Sequence, residues 1–142
     1  MATYNKFYDY SEQLARGVHN FGSHTFKVAL TNTAPVATNT ILADITQISG
    51  TNGYTTGGTA TTITLSETTG TTTVNGTQVV FTAAGGPMGP FRYYVLYNDT
   101  ATSPADALIA WWDHGSSVTL ADTETFTAKF SNATPGAIFT IA

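Results

Sequence analysis

The chain contains no cysteine among its 142 residues. Disulfide bonds, thiolate metal sites and thiol nucleophiles are therefore excluded, and stability must come from packing or from assembly. Charged residues are also scarce, since they make up 10% of the chain, against roughly 25% in ordinary soluble domains. Neutral polar side chains must keep the surface hydrated, and a single domain is expected at this length.

Positively charged residues are few, and long apolar runs are absent. The chain has five Lys and Arg residues and a net charge of −4, so nucleic acid is not expected as a partner, because phosphate binding needs clustered positive charge. The longest apolar run, Ala107 to Trp112, is far shorter than a membrane span. The segment from Met1 to Tyr10 lacks the apolar stretch of a secretion signal. No membrane partner is expected either.

Sequence motifs that carry chemistry are missing as well. The chain has no glycine-rich phosphate loop, Gly-x-Ser-x-Gly elbow, His-Glu-x-x-His helix or EF-hand spacing. His19, His24 and His114 lack the spacing of metal ligands, and Asp113-His114 reads as the polar end of an apolar strand. The sequence therefore predicts neither an enzyme nor a metal or cofactor site. A small hydrolase stays open as an alternative, because two of the scattered carboxylates could meet in a cleft.

Threonine is what the chain has in abundance, at roughly a fifth of all residues, and this β-branched residue suits a pleated sheet with one wet face. One helix is expected near the N-terminus, from Tyr4 to Arg16, because Phe7, Tyr10 and Leu14 follow helical spacing and Gly17 can end it. We therefore predict an N-terminal helical segment (1–22) packed on a β-sandwich domain (23–142).

Alternating and doubly apolar segments define the strands. Phe26, Val28 and Leu30 alternate with polar or small residues, whereas Phe91 to Tyr97 and Leu108 to Trp112 are apolar on both faces and should be central strands. The connection from Asn32 to Gly58 should contain at most one helical turn. Turns are expected at Thr69-Gly70, Asn75-Gly76, Gly85 to Pro90, Gly115-Ser116 and Pro135-Gly136. The pattern predicts an all-β, jelly-roll-like β-sandwich of eight to nine strands with one short N-terminal helix.

Two features have competing explanations. Tyr93, Tyr94, Tyr97, Trp111 and Trp112 are the right residues for a sugar-stacking platform, but their alternation within apolar strands favours core packing. The long Thr-, Asn- and Gly-rich segments have few charges to protect their edges from pairing with another chain. This indicates assembly with copies of itself or with a partner, and an ordinary monomer with threonine-rich loops is the alternative.

Several phrases of the sequence resemble one family over most of the chain. They are Tyr4-Asn5-Lys6-Phe7, Gly17-Val18-His19-Asn20, Val28-Ala29-Leu30-Thr31-Asn32-Thr33-Ala34-Pro35, Leu42-Ala43-Asp44-Ile45-Thr46, Asn52-Gly53-Tyr54-Thr55, Gly89-Pro90-Phe91-Arg92-Tyr93, Val95-Leu96-Tyr97-Asn98-Asp99-Thr100 and Gly115-Ser116-Ser117-Val118-Thr119-Leu120. The chain resembles the small virion structural proteins of tailed bacteriophages, namely the capsid cement or decoration proteins with a jelly-roll fold.

The resemblance implies a late, structural protein that binds the outside of the head and bridges neighbouring subunits of the major capsid protein. Its partners would be the major capsid protein and itself, as a homo-oligomer on the capsid. Its location would be the capsid exterior of the virion, after assembly in the host cytoplasm. A tail or tail-adjacent structural protein is the first alternative, and a carbohydrate-binding module is the second.

Candidate partner contacts follow from expected exposure rather than from the resemblance. Phe7, Tyr8 and Tyr10 lie near a terminus, and Pro87, Met88 and Pro90 form a stiff apolar tip. The alternative is that both groups cap the ends of the sandwich.

Overall fold

The computed structural model describes residues 2–131 and 136–142, and it is an all-β sandwich with one short helix. In chain order the elements are β1 (Thr3–Lys6), α1 (Asp9–Ala15), β2 (Phe26–Thr31), a 3-10 turn (Leu42–Asp44), β3 (Thr59–Thr61), β4 (Ile63–Thr68), β5 (Thr71–Gly76), β6 (Val79–Thr82), β7 (Met88–Asn98), β8 (Leu108–Leu120), β9 (Thr125–Ala128) and β10 (Gly136–Ile141). The predicted fold class is confirmed, and the described residues form ten strands.

The strands form three antiparallel sheets. The largest has the order β1-β8-β7-β2-β3, a second has the order β10-β5-β4, and β6 pairs with β9 in the third. The two longest strands, β7 and β8, occupy the middle of the large sheet, as the doubly apolar segments predict. The long connection before β3 contains only the 3-10 turn among regular helices, which also agrees with the sequence.

The large sheet is buried on both faces. On one face, Phe26, Trp112 and their neighbours pack against Val74 of β5 and Phe81 of β6. On the other face, Val95 and Trp111 belong to a second cluster that includes Leu42 and Ile45 of the long connection. This double burial is the physical reason why β7 and β8 are apolar on both sides.

The N-terminal prediction was correct about the helix but wrong about its start. Residues Thr3–Lys6 form β1, which pairs with β8 and places Tyr4 opposite Trp112. The helix begins only at Asp9, and Gly17 ends it with a positive φ of 79° and an N–H that donates to the Leu14 carbonyl at 3.1 Å. The segment before residue 22 therefore contributes an edge strand to the large sheet as well as a helix.

The predicted turns at Gly115-Ser116 and Asn75-Gly76 were wrong, and the one at Gly85 to Pro90 was too long, because β7 begins at Met88. The turn at Thr69-Gly70 is confirmed between β4 and β5. Gly115-Ser116 lies inside β8, where a register shift between the Phe91–Val118 and Tyr93–Asp113 pairs absorbs the extra residues as a bulge. Asn75-Gly76 ends β5, and a Cβ at Gly76 would lie 2.6 Å from the Phe130 ring. This glycine therefore permits close packing rather than a turn. Pro135 of the Pro135-Gly136 turn lies outside the described residues.

Candidate interaction surface

Tyr8 is the most exposed aromatic side chain near the N-terminus. The Phe7 N–H donates to the Ile109 carbonyl at 3.2 Å and the Tyr8 N–H donates to the Ala37 carbonyl at 2.9 Å. Two successive backbone bonds hold this segment on the large sheet and on the long connection, so the two side chains point in opposite directions. Phe7 is 0% exposed and Tyr8 is 67% exposed.

Val36 is a second exposed apolar residue, one position before the backbone carbonyl that holds Tyr8. It precedes Ala37, which accepts the Tyr8 hydrogen bond, and its own side chain is 55% exposed. Asn39 holds the Val36 backbone from both sides, since its Oδ1 accepts from the Val36 N–H and its N–H donates to the Val36 carbonyl, both at 2.9 Å. We name Tyr8, Val36 and the adjoining concavity lined by Asp9, Glu12, Thr38 and Thr40 the N-terminal patch.

The rim of the N-terminal patch is acidic. Glu12 makes an ion pair with Arg16 at 2.7 Å, whereas Asp9 accepts hydrogen bonds from Gln13. Behind Thr40, the N–H groups of Thr40 and Ile41 hold the pKa of Asp44 below its usual range. The patch therefore combines two exposed apolar side chains on an anchored backbone with the acidic side chains of Asp9 and Glu12.

The candidate contacts Phe7 and Tyr10 are not exposed, which corrects the sequence prediction. The Phe7 ring packs on Trp111 with a centroid distance of 4.5 Å, and Tyr10 lies 5.1 Å from Phe139. Their i, i+3 spacing predicts one exposed helical stripe, but Phe7 lies before the helix and belongs to the buried cluster that contains Trp111. Of this group only Tyr8 is available to a partner.

The expected apolar tip at Met88 is also corrected. Met88 is 1% exposed, begins β7 and pairs with Leu120 of β8, so its side chain enters the core. Pro87 and Pro90 are exposed, as expected. The Pro87 carbonyl accepts a hydrogen bond from Asn52 Nδ2 at 2.8 Å. The loop is therefore anchored by its methionine, while both prolines and Gly89 are exposed to solvent.

The aromatic residues considered as a sugar platform are mostly in the core. Tyr94, Tyr97, Trp111 and Trp112 are buried, and Tyr93 is partly exposed. Tyr94 and Trp112 stack on each other with ring planes 8° apart. Core packing, the favoured interpretation of these rings, is confirmed for four of the five. They do not form an open stacking surface.

Two of the three histidines, His19 and His24, lie close together, with the side-chain amide of Asn98 between them. Asn98 Nδ2 lies 3.2 Å from His19 Nδ1 and 3.0 Å from His24 Nδ1, whereas His114 packs against the Phe126 ring elsewhere. Burial, with a smaller effect from His24, lowers the pKa of His19 to about 4. Among residues 2–131 and 136–142, no group of three or more potential ligands could hold a metal ion.

Three carboxylates near the large sheet have ion pairs or shifted pKa values that their neighbours explain. Asp113 accepts two hydrogen bonds from Arg92, at 2.8 and 3.0 Å, and this guanidinium lowers the pKa of Asp113. Asp99 pairs with Lys27 at 3.1 Å. Burial, followed by the nearby Asp99, raises the pKa of Asp106. Asp113-His114 thus lies on β8 with its acid bound to arginine rather than to the histidine.

Comparison of the chain with family models, with curated proteins and with solved structures finds no match. Across the described residues, no helix is long and apolar enough to cross a membrane.

Proposed function

We propose that this chain is a capsid cement protein of a tailed bacteriophage, which binds the outer surface of the head and bridges major capsid protein subunits. The short sequence segments that resemble this family support the proposed role on the capsid. The structural observation that supports it is the N-terminal patch, where Tyr8 and Val36 are exposed on a backbone held by hydrogen bonds.

An anchored patch suits repeated weak binding. Tyr8 and Val36 lose little backbone freedom when they dock, because their main chain is already fixed. A ligand that binds only the assembled shell stabilises it by RT ln(1 + [L]/Kd) at each site, and many sites act together. Modest contacts in each copy would therefore be enough to hold a shell against internal pressure.

The acidic rim specifies the chemistry of the complementary surface. Asp9 and Glu12 flank Tyr8 in the same concavity, so the shell should offer an apolar depression bordered by Lys or Arg. Opposite charges at such a rim steer association and fix its register more than they add affinity. Binding should accordingly slow with rising salt while the apolar contact persists.

Cosedimentation of the purified chain with expanded shells of the same phage's major capsid protein tests the proposal, followed by imaging of the bound particles. Saturable binding, with density at fixed lattice positions, is the expected result. No binding at high protein concentration would overturn the cement role. Parallel incubations with purified tails and with a glycan array would then identify the tail-associated and carbohydrate-binding alternatives.

Truncating the N-terminal patch should weaken shell binding. We expect Tyr8→Ala and Val36→Ser each to raise the dissociation constant about tenfold, equivalent to about 1.4 kcal/mol, because each removes an apolar side chain from the contact. Neither should change the unfolding midpoint greatly, since both side chains are mostly exposed. Binding isotherms from cosedimentation measure the effect.

Val80→Ser is the matched control for that experiment. Val80 is 54% exposed, on β6 and outside the N-terminal patch. Its substitution should leave the isotherm unchanged. Equal losses for Val36→Ser and Val80→Ser would show that the patch is not the contact surface.

A further inference from the structure

Strand β4 presents an open and nearly uncharged edge. It is the last strand in the order β10-β5-β4, and no strand among the described residues pairs with its outer side. Between residues 59 and 82 the only charged residue is Glu67. Natural edge strands are usually protected by lysine, proline or bulges, and β4 has none of these over its six residues.

The hydrogen-bonding groups that face this open side can be identified from the turn. Thr69 and Gly70 both have positive φ, 49° and 85°, so they form a two-residue turn that makes Thr68–Thr71 a hydrogen-bonded pair. Alternation then directs the N–H and C=O groups of Thr64, Ser66 and Thr68 toward β5. Those of Ile63, Leu65 and Glu67 face outward.

The other end of the hairpin agrees with this assignment. The Thr62 carbonyl accepts from the Thr77 N–H at 3.0 Å, and the Thr62 N–H donates to Thr77 Oγ1 at 3.0 Å. Thr62 has the same parity as Thr64, so its backbone groups turn toward the following strand, as alternation requires. Across the described part of the chain, no turn or loop hydrogen bond uses the outward groups of β4.

We propose that β4 pairs antiparallel with β4 of a second copy of this chain, across a two-fold axis at Leu65. In this register Leu65 lies opposite Leu65 of the second copy, and each Ile63 lies opposite a Glu67. All three outward-facing residues then exchange backbone hydrogen bonds with the second copy, two for each pair. The two three-stranded sheets become one continuous sheet.

Two other symmetric registers either leave backbone hydrogen-bonding groups of β4 unpaired or bring like charges together. Centring the axis on Ser66 leaves Ile63 without a partner, because only Leu65 and Glu67 then form hydrogen-bonded pairs. Centring it on Glu67 places two like charges directly opposite each other, which is destabilising. The register centred on Leu65 avoids both defects.

The side chains favour the same register. Leu65 is 49% exposed although it pairs with the fully buried Val74 on the same face of the sheet. Placing two copies of Leu65 side by side shields part of each side chain from water. Thr64 and Ser66 lie on the opposite, polar face, so the extended sheet keeps one wet face.

This inference deepens the proposed function and rests on it for its biological role, because a dimer offers two N-terminal patches to neighbouring capsid subunits. Dimerisation itself is measured without shells. A dimer that binds no shell would overturn the cement role alone, and a shell-binding monomer would overturn the dimer alone.

Sedimentation equilibrium of the full chain is the first test. We expect a concentration-dependent dimer, and Leu65→Lys should raise its dissociation constant at least about 100-fold by placing two lysines on the axis. Leu65→Pro should do the same while preserving the hairpin, since it removes only an outward N–H. Val80→Lys, at an exposed residue on β6, is the matched control. A monomer at all concentrations, or a dimer that survives both substitutions, would overturn the proposal.

Cross-linking tests the register. The natural chain has no cysteine, so Leu65→Cys introduces a single thiol, and hydrogen-bonded antiparallel pairs bring Cα atoms to about 5.5 Å, within reach of a disulfide. Oxidised glutathione should convert the Leu65→Cys variant to a covalent dimer and leave Thr68→Cys monomeric under denaturing electrophoresis. Cross-linking at 68 but not at 65 would contradict the register.

Discussion

Replacing Trp112 with alanine is expected to lower the free energy of unfolding by about 3–5 kcal/mol. Trp112 is fully buried in the middle of the large sheet. Its ring stacks on Tyr94 at 5.5 Å, lies 5.0 Å from Phe130 and receives the edge contact of Tyr4. Alanine would leave a cavity that three neighbouring rings can fill only in part, because protein interiors are close-packed.

Urea denaturation monitored by far-ultraviolet circular dichroism measures this loss. Trp112→Phe should cost less than the alanine variant, because it keeps a ring in the stack, and it allows a measurement if Trp112→Ala does not fold. Val80→Ala, at an exposed position, should change stability by no more than about 0.5 kcal/mol. A loss below about 1 kcal/mol in Trp112→Ala would contradict the packing described for this face of the sheet.

Acidification is expected to destabilise the fold through His19 by about 3 kcal/mol between pH 6.5 and 4. The His19 ring is buried between Tyr10 and Phe21, and its Nδ1 faces the Asn98 amide nitrogen. The Asn98 amide nitrogen is a donor only, and its neighbours are the Val18 carbonyl and the Nδ1 atoms of His19 and His24. A second proton on Nδ1 would point at this donor, so the folded state disfavours the charged ring.

The direction of the pH dependence follows from the number of protons that each state binds. In the unfolded chain His19 binds a proton near pH 6.5, whereas in the folded chain it does so only near pH 4. Between these values the unfolded state holds more protons, so stability is complete above pH 6.5 and is lost as the pH falls. Among its charged neighbours, His24 lowers the pKa further and Asp9 opposes the shift.

Denaturant unfolding at a series of pH values should show this loss, and His19→Leu isolates it. The variant keeps an apolar group between Tyr10 and Phe21 but has no imidazole to protonate. Its free energy of unfolding should therefore fall less between pH 6.5 and 4 than that of the natural chain. His114→Leu, which alters a histidine outside the Asn98 cluster, is the control and should retain the acid-dependent loss. Parallel pH profiles for the natural chain and His19→Leu would contradict a neutral, buried His19.

Much of the fold could be predicted from local pattern. The alternation in Phe26 to Thr31 and the doubly apolar segments of β7 and β8 identify strands, because side chains alternate between the faces of a sheet. The turn at Thr69-Gly70 and the helix end at Gly17 were also predictable, since each needs a positive φ that glycine adopts readily. The wrong turn at Gly115 has the same cause. Gly115 also has a positive φ, but glycine adopts this conformation in a β-bulge as well as in a turn.

The candidate surface was less predictable. The sequence groups the exposed Tyr8 with the buried Phe7 and Tyr10, because it does not show where the strand ends and the helix starts. Val36 was missed, and its only signal is an apolar residue in a polar connection. Its neighbour Ala37 turns inward instead. Which of two adjacent small apolar residues faces solvent depends on the surface beneath them.

By itself, the sequence determined that the chain is β, largely uncharged, free of thiol chemistry and equipped with two strands that must be buried on both sides. These properties follow from composition and from a period of two, which are local. The tertiary structure alone decided that the long connection covers the second face of the sheet, that Met88 enters the core, and that Tyr8 and the edge of β4 remain exposed. Exposure depends on which distant segments pack together, and no local period of residues encodes that.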